Sequence, residues 1–339
     1  MSNTASAVLR PGASGLIYPH IAPGAAVAIA CVASFMVVMD GAIVNVALPA
    51  MQADLGLSPV ALQWVVDAYL LMLGGFMLLA ARAGDLFGRK RVLQYGLLLF
   101  TLASLAGGMA TSGSWLLAAR ALQGFGASAL ATSTLAVIVA VHPGGAARAR
   151  AISLWAASSS IASALGVVVG GVLTTQANWR WVMYVNVPIG AGLMAAVAWC
   201  LAPSRANAQR PGLDIPGAVA ITLGMGALMY GVSQSVSQGW GAVTVVSALL
   251  AAAVLIGAFF AIQARVQHPL VRPAIWRVHN VRMGNVVVLC LGASLTASTF
   301  FTSMVLQNLA GYSALDTGLA MLPMGLTLAL AAIISRPSH

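Results

Sequence analysis

Glutamate is absent from this 339-residue chain, and its six acidic residues are all aspartates. Charge of either sign is scarce: 6% of residues are charged, against about 25% in a soluble domain. Water cannot solvate a surface so poor in charge, so most of that surface has to face lipid. Cysteine is nearly missing too. Cys31, Cys200 and Cys290 each lie alone inside an apolar run, which excludes a disulfide framework and metal-ligand spacing. No two histidines (His20, His142, His268, His279, His339) share ligand spacing on one helix, which argues against a metal site. There is no Ser-His-Asp set and no phosphate-cradling loop, so the expectation is passage of a molecule, not enzymatic bond chemistry. The first 22 residues hold Arg10 but no compact apolar core with a small-residue cleavage site, and so read as a cytoplasmic tail, not a cleaved leader.

What is abundant is hydrophobic sequence, 60% of the chain. A spanning helix needs about 20 mostly apolar residues, and runs of that length recur at 25–48, 61–82, 92–110, 115–140, 150–173, 180–202, 214–232, 241–263, 284–307 and 317–335. Backbone groups find no water in lipid, so these segments are predicted to be helices, and they lack the alternation of a lipid-facing β-barrel. The fold class is all-α integral membrane, with about ten transmembrane helices.

The net charge of +10 does not point to nucleic acid, because the basic residues fall in short loops between apolar runs. With the N-terminus inside, Arg89, Lys90, Arg91, Arg148, Arg150, Arg205, Arg210, Arg265, Arg272, Arg277 and Arg282 lie in inner loops, and Arg10 and Arg336 in the tails. Only Arg180 lies in an outer loop. Thirteen cations against one orient the chain by the positive-inside rule. A cluster at 203–213 (Pro203, Arg205, Arg210, Pro211) separates six helices from the rest. The basic segment 264–283 is either an amphipathic stretch on the inner leaflet or a plain loop.

A few ionisable residues interrupt the apolar runs. Asp40 and Asn45 sit inside helix 1. A carboxylate near mid-membrane is costly unless protonated or paired, so by default it marks a functional site. The expected role of Asp40 is proton coupling; the alternative is a hydrogen bond between helices. Asp67, within one turn of the outer end of helix 2, is a candidate substrate contact or an interfacial residue. Arg120, in helix 4, costs about 2.5–3.5 kcal/mol to insert, which an aspartate or a ring of carbonyls would offset; the alternative is snorkelling towards the edge marked by Trp115. Gly124 and Gly126 beside it would admit a neighbouring helix closely. The loop Gly84-Asp85-Leu-Phe-Gly88-Arg89-Lys90-Arg91 combines a turn glycine, a carboxylate and three cations, and is either a conformational element or an ordinary positive-inside loop. Ala162, Gly166 and Gly170 recur every four residues, with Gly171 adjacent, and form a stripe for helix packing.

Taken in order, these motifs resemble the major facilitator superfamily, and within it the fourteen-helix drug:proton antiporter branch of the EmrB/QacA type. Asp40 to Pro49 resembles that branch's first-helix motif. Gly84 to Arg91 resembles its signature loop, and Arg120-Ala-Leu-Gln123-Gly124 the helix 4 motif whose arginine serves proton coupling. Gly166 to Gly171 resembles the helix 5 antiporter motif, and Trp179-Arg-Trp-Val-Met-Tyr-Val-Asn-Val-Pro-Ile-Gly190 the opening of helix 6. Gln307 to Tyr312 and Gly318 to Pro323 also fit. The sequence departs from the pattern at Ala81 (usually Gly), Ala83 (Leu), Leu86 (Arg) and Val167, where the antiporter motif has Pro.

The resemblance implies a cytoplasmic tail (1–24), a six-helix bundle (25–202), a linker (203–213), two inserted helices (214–263), a basic cytoplasmic segment (264–283), the start of a second bundle (284–335) and a tail (336–339). It also implies a chain truncated after the second helix of that second bundle. The function implied is proton-coupled export of amphipathic drugs or metabolites from a bacterial inner membrane, impaired by the truncation. Asp40 and Arg120 would handle protons, and Asn45, Asp67, Gln123 and Gly166 would line the substrate cavity. The energy source would be the proton gradient, with no cofactor. Expected partners are the lipid bilayer, protons and a small amphipathic substrate, together with a membrane-fusion protein or a second copy of the chain. Two alternatives stay open: a non-transporting membrane fragment that regulates a partner, and a uniporter or importer of the same fold.

Overall fold

The computed structural model describes residues 23–334 except 143, 202–211, 268, 272–274 and 276. The proline–arginine cluster, most of the N-terminal tail, His20, His268 and the tail 336–339 therefore lie outside the described residues. Every predicted apolar run becomes a helix: α1 (Pro23–Leu55), α2 (Pro59–Phe87), α3 (Arg89–Gly108), α4 (Gly113–Val141), α5 (Gly145–Gln176), α6 (Trp181–Tyr184), α7 (Asn186–Cys200), α8 (Ile215–Gln238), α9 (Val243–Arg265), α10 (His279–Met304) and α11 (Ala314–Ile334). A short π-helical turn, Val305–Leu309, follows α10. Counting α6 with α7, this makes ten helices and no strand among the described residues. Seven of them are long and apolar enough to cross a membrane: α1, α2, α4, α5, α6–α7, α8 and α9.

The helices overrun the predicted runs at most ends. The physical reason is that an apolar-run criterion stops at the edge of the hydrocarbon, whereas i→i−4 hydrogen bonding continues into water. α1 has 33 residues, about 50 Å of rise, against about 30 Å of hydrocarbon. Its C-terminal end, which carries Gln52 and Asp54, and the start of α10 are polar extensions of this kind. α10 begins at His279, so the last five residues of the expected basic segment are helical. Among the described residues of 266–278 there is no α-helix.

Local chemistry sets several ends. Ser58 caps α2 by accepting the Ala61 N–H at 3.2 Å, with Pro59 in the first turn. Ser112 caps α4 through the Trp115 N–H at 3.3 Å. Pro49 interrupts α1 internally, and with no N–H it leaves the Asn45 carbonyl without its helical partner.

α1 packs against α5, α4 and α7; α4 packs against α2 and α3; α3 packs against α7. α8 and α9 form an antiparallel pair, and α8 lies along α2, where Gly75 meets Thr222 and the rings of Trp64 and Tyr230 are 6.5 Å apart. α11 packs on α5. The outward faces are apolar, with Leu98, Leu102, Leu122, Leu250 and Val254 all exposed, as lipid contact requires.

The interior of the α1–α7 bundle has two apolar layers. One contains Met36, Val37, Leu93, Leu97, Phe100, Leu130 and Leu193. The other contains Ile43, Val44, Met51, Val65, Leu116, Trp179 and Met183. Read along each chain segment, residue 40 falls between the two layers on α1, residues 120 and 123 on α4, residue 104 on α3 and residue 186 on α7.

Candidate functional site

Between the apolar layers lies a sheet of polar side chains. Asp40 is 17 residues into the 33-residue α1, about 25 Å from its start and so near mid-helix. It is fully buried. Its Oδ2 accepts from Arg120 Nη1 at 2.6 Å. Its Oδ1 accepts from Gln123 Nε2 at 2.7 Å and from Asn186 Nδ2 at 2.7 Å. Three donors from α4 and α7 thus enclose one carboxylate of α1.

Arg120 is also 0% exposed, which removes the snorkelling alternative: the side chain turns into the bundle, not towards the edge at Trp115. Its Nε donates to the Val65 carbonyl at 3.0 Å and its Nη1 to Gln123 Oε1 at 2.7 Å. Its guanidinium lies 4.2 Å from the centroid of the Tyr69 ring, and the Tyr69 hydroxyl donates to the Val37 carbonyl at 2.9 Å. Ser104 completes the layer. It donates to the Met183 carbonyl at 2.8 Å and accepts from Gln123 and Asn186 at 3.1 Å each. Such an ion pair is costly to desolvate, and the matched donors and lone pairs around it offset that cost; Arg120 Nη2 and Asn186 Oδ1 are the members of the layer without a hydrogen-bond partner.

Small residues make the layer possible. At Gly124 a Cβ would collide with the Tyr69 backbone carbonyl, so α2 and α4 approach as closely as they do only because this residue is glycine. The stripe on α5 does the same for α1. A Cβ at Gly166 would lie 2.8 Å from the Ala42 Cβ, and one at Gly170 would lie 2.9 Å from the Ile43 carbonyl; Ala162 and Gly171 are buried beside them. Val167, on another face of α5, meets Gly318 of α11.

The residues expected to line a substrate cavity do not gather in one place. Gln123 is 0% exposed and belongs to the ion-pair layer. Gly166 is packed against α1. Neither opens onto a cavity, because both serve interhelical contacts. Asn45 is exposed on α1, its Nδ2 turned back to the Gly41 carbonyl at 2.8 Å. Asp67 is half-buried and bonded to Gln63. It stands on the opposite face of α2 from Val65 and Tyr69, which point at Arg120.

At the α2–α3 turn, Gly88 has φ +95° and is the single residue between two helices. Gly84 is buried and its carbonyl accepts the Gly88 N–H at 3.1 Å. Asp85 pairs with Arg89 at 3.3 Å, and Arg89 also donates to the Ala136 carbonyl at 2.9 Å. Lys90 donates to the carbonyls of Ala198 (2.9 Å) and Leu201, closing the C-terminal end of α7. Arg91 is exposed. At the opposite end Asp54 accepts from Arg180 at 2.8 Å and Trp179 at 3.0 Å, and Arg180 also reaches the Ala110 carbonyl at 3.0 Å. Elsewhere, Asp214 is a buried cap of α8 held by Gly217 N and Gln263. Among the described residues no three His, Cys, Asp or Glu side chains cluster as metal ligands would.

Sequence reasoning singled out Asp40, Arg120 and Gln123 but missed Asn186, Ser104, Tyr69, Asp54 and Asp214 as members of these networks. Asn186 had one available signal, a lone amide in the otherwise apolar run Val185 to Gly190.

Residues 30–338 match the family model described as Major Facilitator Superfamily. The chain is 40% identical over 305 residues to the cephamycin export protein CmcT of Amycolatopsis lactamdurans, covering 89% of this chain and 63% of that protein. It is 40% identical over 300 residues to the puromycin resistance protein pur8 of Streptomyces alboniger, covering 88% and 59%. The chain thus spans about three fifths of the length of these relatives. The crystal structure of the human organic anion transporter MFSD10 (TETRAN) aligns with TM-score 0.61 at 15% identity, over 92% of this chain and 72% of that one, a likeness of fold alone.

Proposed function

This chain belongs to the major facilitator superfamily, and from that premise we propose that it serves the proton-driven export of amphipathic drugs or metabolites across a bacterial inner membrane. The observation that carries the proton part is Asp40: a carboxylate at mid-helix, sealed from solvent and ion-paired to an equally sealed arginine 2.6 Å away. The export part is supported by relatives whose names describe export of cephamycin and resistance to puromycin.

Ionised Asp40 ties α1 to α4 through Arg120 and to α7 through Asn186. A proton on Asp40 removes the charge that Arg120 faces. Arg120 then keeps the Val65 carbonyl, Gln123 Oε1 and the Tyr69 ring, while α1 loses its ionic tether. α1 packs on α5, and α5 on α11, so a loosened α1 changes the surface across which one bundle rocks against the other. Substrate and proton compete for the same state of the bundle. Asn45 and Asp67, which stand outside the sealed layer, are the candidate substrate contacts.

In this reading α1–α7 are the first bundle, α8–α9 the inserted pair of the fourteen-helix branch, and α10–α11 part of the second bundle. The tight α8–α9 pair supports it. The N-terminus is cytoplasmic, because the cations of the α2–α3, α4–α5 and α9–α10 connections then all lie inside. The loop Gly84, Asp85, Gly88, Arg89, Lys90, Arg91 would act at the inner gate. A second reading, facilitated transport without protons, is favoured by α5, which runs unbroken through Val167 where the antiporter motif has proline.

The test is efflux of puromycin and ethidium from an efflux-deficient bacterial host expressing the chain. Export abolished by a protonophore supports the antiport reading. Export indifferent to it supports uniport. Correct membrane insertion without export contradicts transport by this chain on its own and leaves an impaired exporter or a regulatory membrane protein.

A further inference from the structure

We propose that Asn186 is the positioning residue that senses the proton on Asp40, donating to the carboxylate when it is ionised and accepting from the carboxyl when it is protonated. This rests on the proton-coupling reading above.

The ionised state is matched as described: every contact to Asp40 is a donor, two on Oδ1 and one on Oδ2. The protonated state poses a different problem. A carboxyl has an O–H that needs an acceptor, and in a buried site an unmet donor is costly. Three side chains other than Arg120 surround it. Gln123 Oε1 is engaged by Arg120 at 2.7 Å. Ser104 already spends its hydroxyl hydrogen on the Met183 carbonyl and accepts two amide N–H groups. Asn186 Oδ1 is buried and has no partner. It is the vacant acceptor of the layer.

Asn186 is fully buried and its Nδ2 lies 2.7 Å from Asp40 Oδ1. The two ends of a carboxamide have nearly the same shape and opposite hydrogen-bonding roles. A half-turn about Cβ–Cγ exchanges donor for acceptor without moving the backbone. The proton arrives on Asp40 Oδ1, and the resulting O–H donates to Asn186 Oδ1; in exchange the amide gives up its Nδ2 donations to Asp40 Oδ1 and Ser104 Oγ, and no covalent bond other than the new O–H is made. One element is then informed of the change directly. Asn186 opens α7, immediately after the residue that separates it from α6, so its amide sits where the helix is interrupted.

The charged or titratable groups facing Asp40 are Arg120 from α4 and Tyr69 from α2. α5 has none between residues 151 and 176, and α7 has none between 186 and 199. On α3, Ser104 is the facing residue, and the nearest titratable side chain, Tyr95, is nine residues away, about 13 Å along the axis. On α6, Tyr184 packs against Gly108.

The experiment is infrared difference spectroscopy of the purified chain in lipid nanodiscs during pH steps. The band of protonated Asp40 is identified as the carboxyl C=O stretch lost in Asp40→Asn. In Asn186→Leu this band is expected at higher frequency, that of a carboxyl with no acceptor. In the wild-type chain carrying 13C-asparagine, an amide C=O band should fall in frequency as Asp40 takes up its proton, and this change should vanish in Asp40→Asn; this second measurement does not depend on the folding of Asn186→Leu. An Asp40 band that titrates while both the Asn186→Leu frequency and the labelled amide stay unchanged overturns the role of Asn186 and leaves the coupling reading standing. If no titrating band disappears in Asp40→Asn, the coupling reading fails and this proposal with it.

Discussion

Replacing Arg120 by methionine keeps most of the side chain's volume and removes its charge. The wild-type guanidinium makes bonds of 2.6 Å to Asp40, 2.7 Å to Gln123 and 3.0 Å to the Val65 carbonyl, with the Tyr69 ring at 4.2 Å. Arg120→Met strands a fully buried carboxylate with only two amide donors. Breaking a buried pair from one side costs about 3–5 kcal/mol, or a loss of about a hundredfold or more in the folded-to-unfolded ratio. Adding Asp40→Asn removes the stranded charge. What remains in the double variant is the orphaned Gln123 Oε1, about 1–3 kcal/mol, because the Val65 carbonyl inside α2 keeps its helical Tyr69 N–H. The second substitution is therefore expected to rescue the first, with a favourable interaction on the order of 1–3 kcal/mol. Lowering the pH should also rescue Arg120→Met alone, because a proton neutralises the stranded carboxylate. Reversible unfolding of the purified chain in mixed micelles, followed by far-UV circular dichroism across pH, measures all three. Strictly additive losses, or an Arg120→Met variant as stable as wild type at every pH, would refute the buried-pair argument.

Gly124→Val should separate α2 from α4, because its Cβ meets the Tyr69 backbone, which cannot yield; the expected loss is about 1–3 kcal/mol or more, read from the same unfolding curves. Gly192→Ala, where nothing lies within 4 Å, should be neutral or slightly stabilising and serves as its control. Gly88→Ala forces a side chain into φ +95° and should cost about 1–3 kcal/mol, seen as a lower unfolding midpoint. Asp54→Ala removes the acceptor of Arg180 and Trp179 at an exposed site, so its loss should be smaller than those of Gly124→Val and Gly88→Ala, and the part due to Arg180 should shrink at high salt.

Periodicity and composition sufficed to read which stretches are helical, since lipid permits little else. Helix ends were less legible, because hydrogen bonding outlasts the apolar run, as at His279–Met283. For the site, a charge inside an apolar run is conspicuous in one dimension, which is how Asp40 and Arg120 stand out. Their being partners 80 positions apart depends on α1 and α4 crossing at one depth, which no spacing encodes. Asn186, Ser104 and Tyr69 are ordinary membrane residues until the fold puts them at that depth. Gln123 and Gly166 were expected to face substrate. The helix 4 motif looks the same in one dimension whether its amide faces a cavity or a carboxylate, and the glycine stripe does not say which neighbour fills it.

The most direct measurement is proton release on ligand binding. The purified chain in weakly buffered detergent solution, mixed with puromycin and followed with a pH-indicator dye, should discharge protons into the medium, and Asp40→Asn should discharge none. Equal release from both proteins, or none from the wild type, would contradict the claim that the sealed carboxylate carries the exchanged proton.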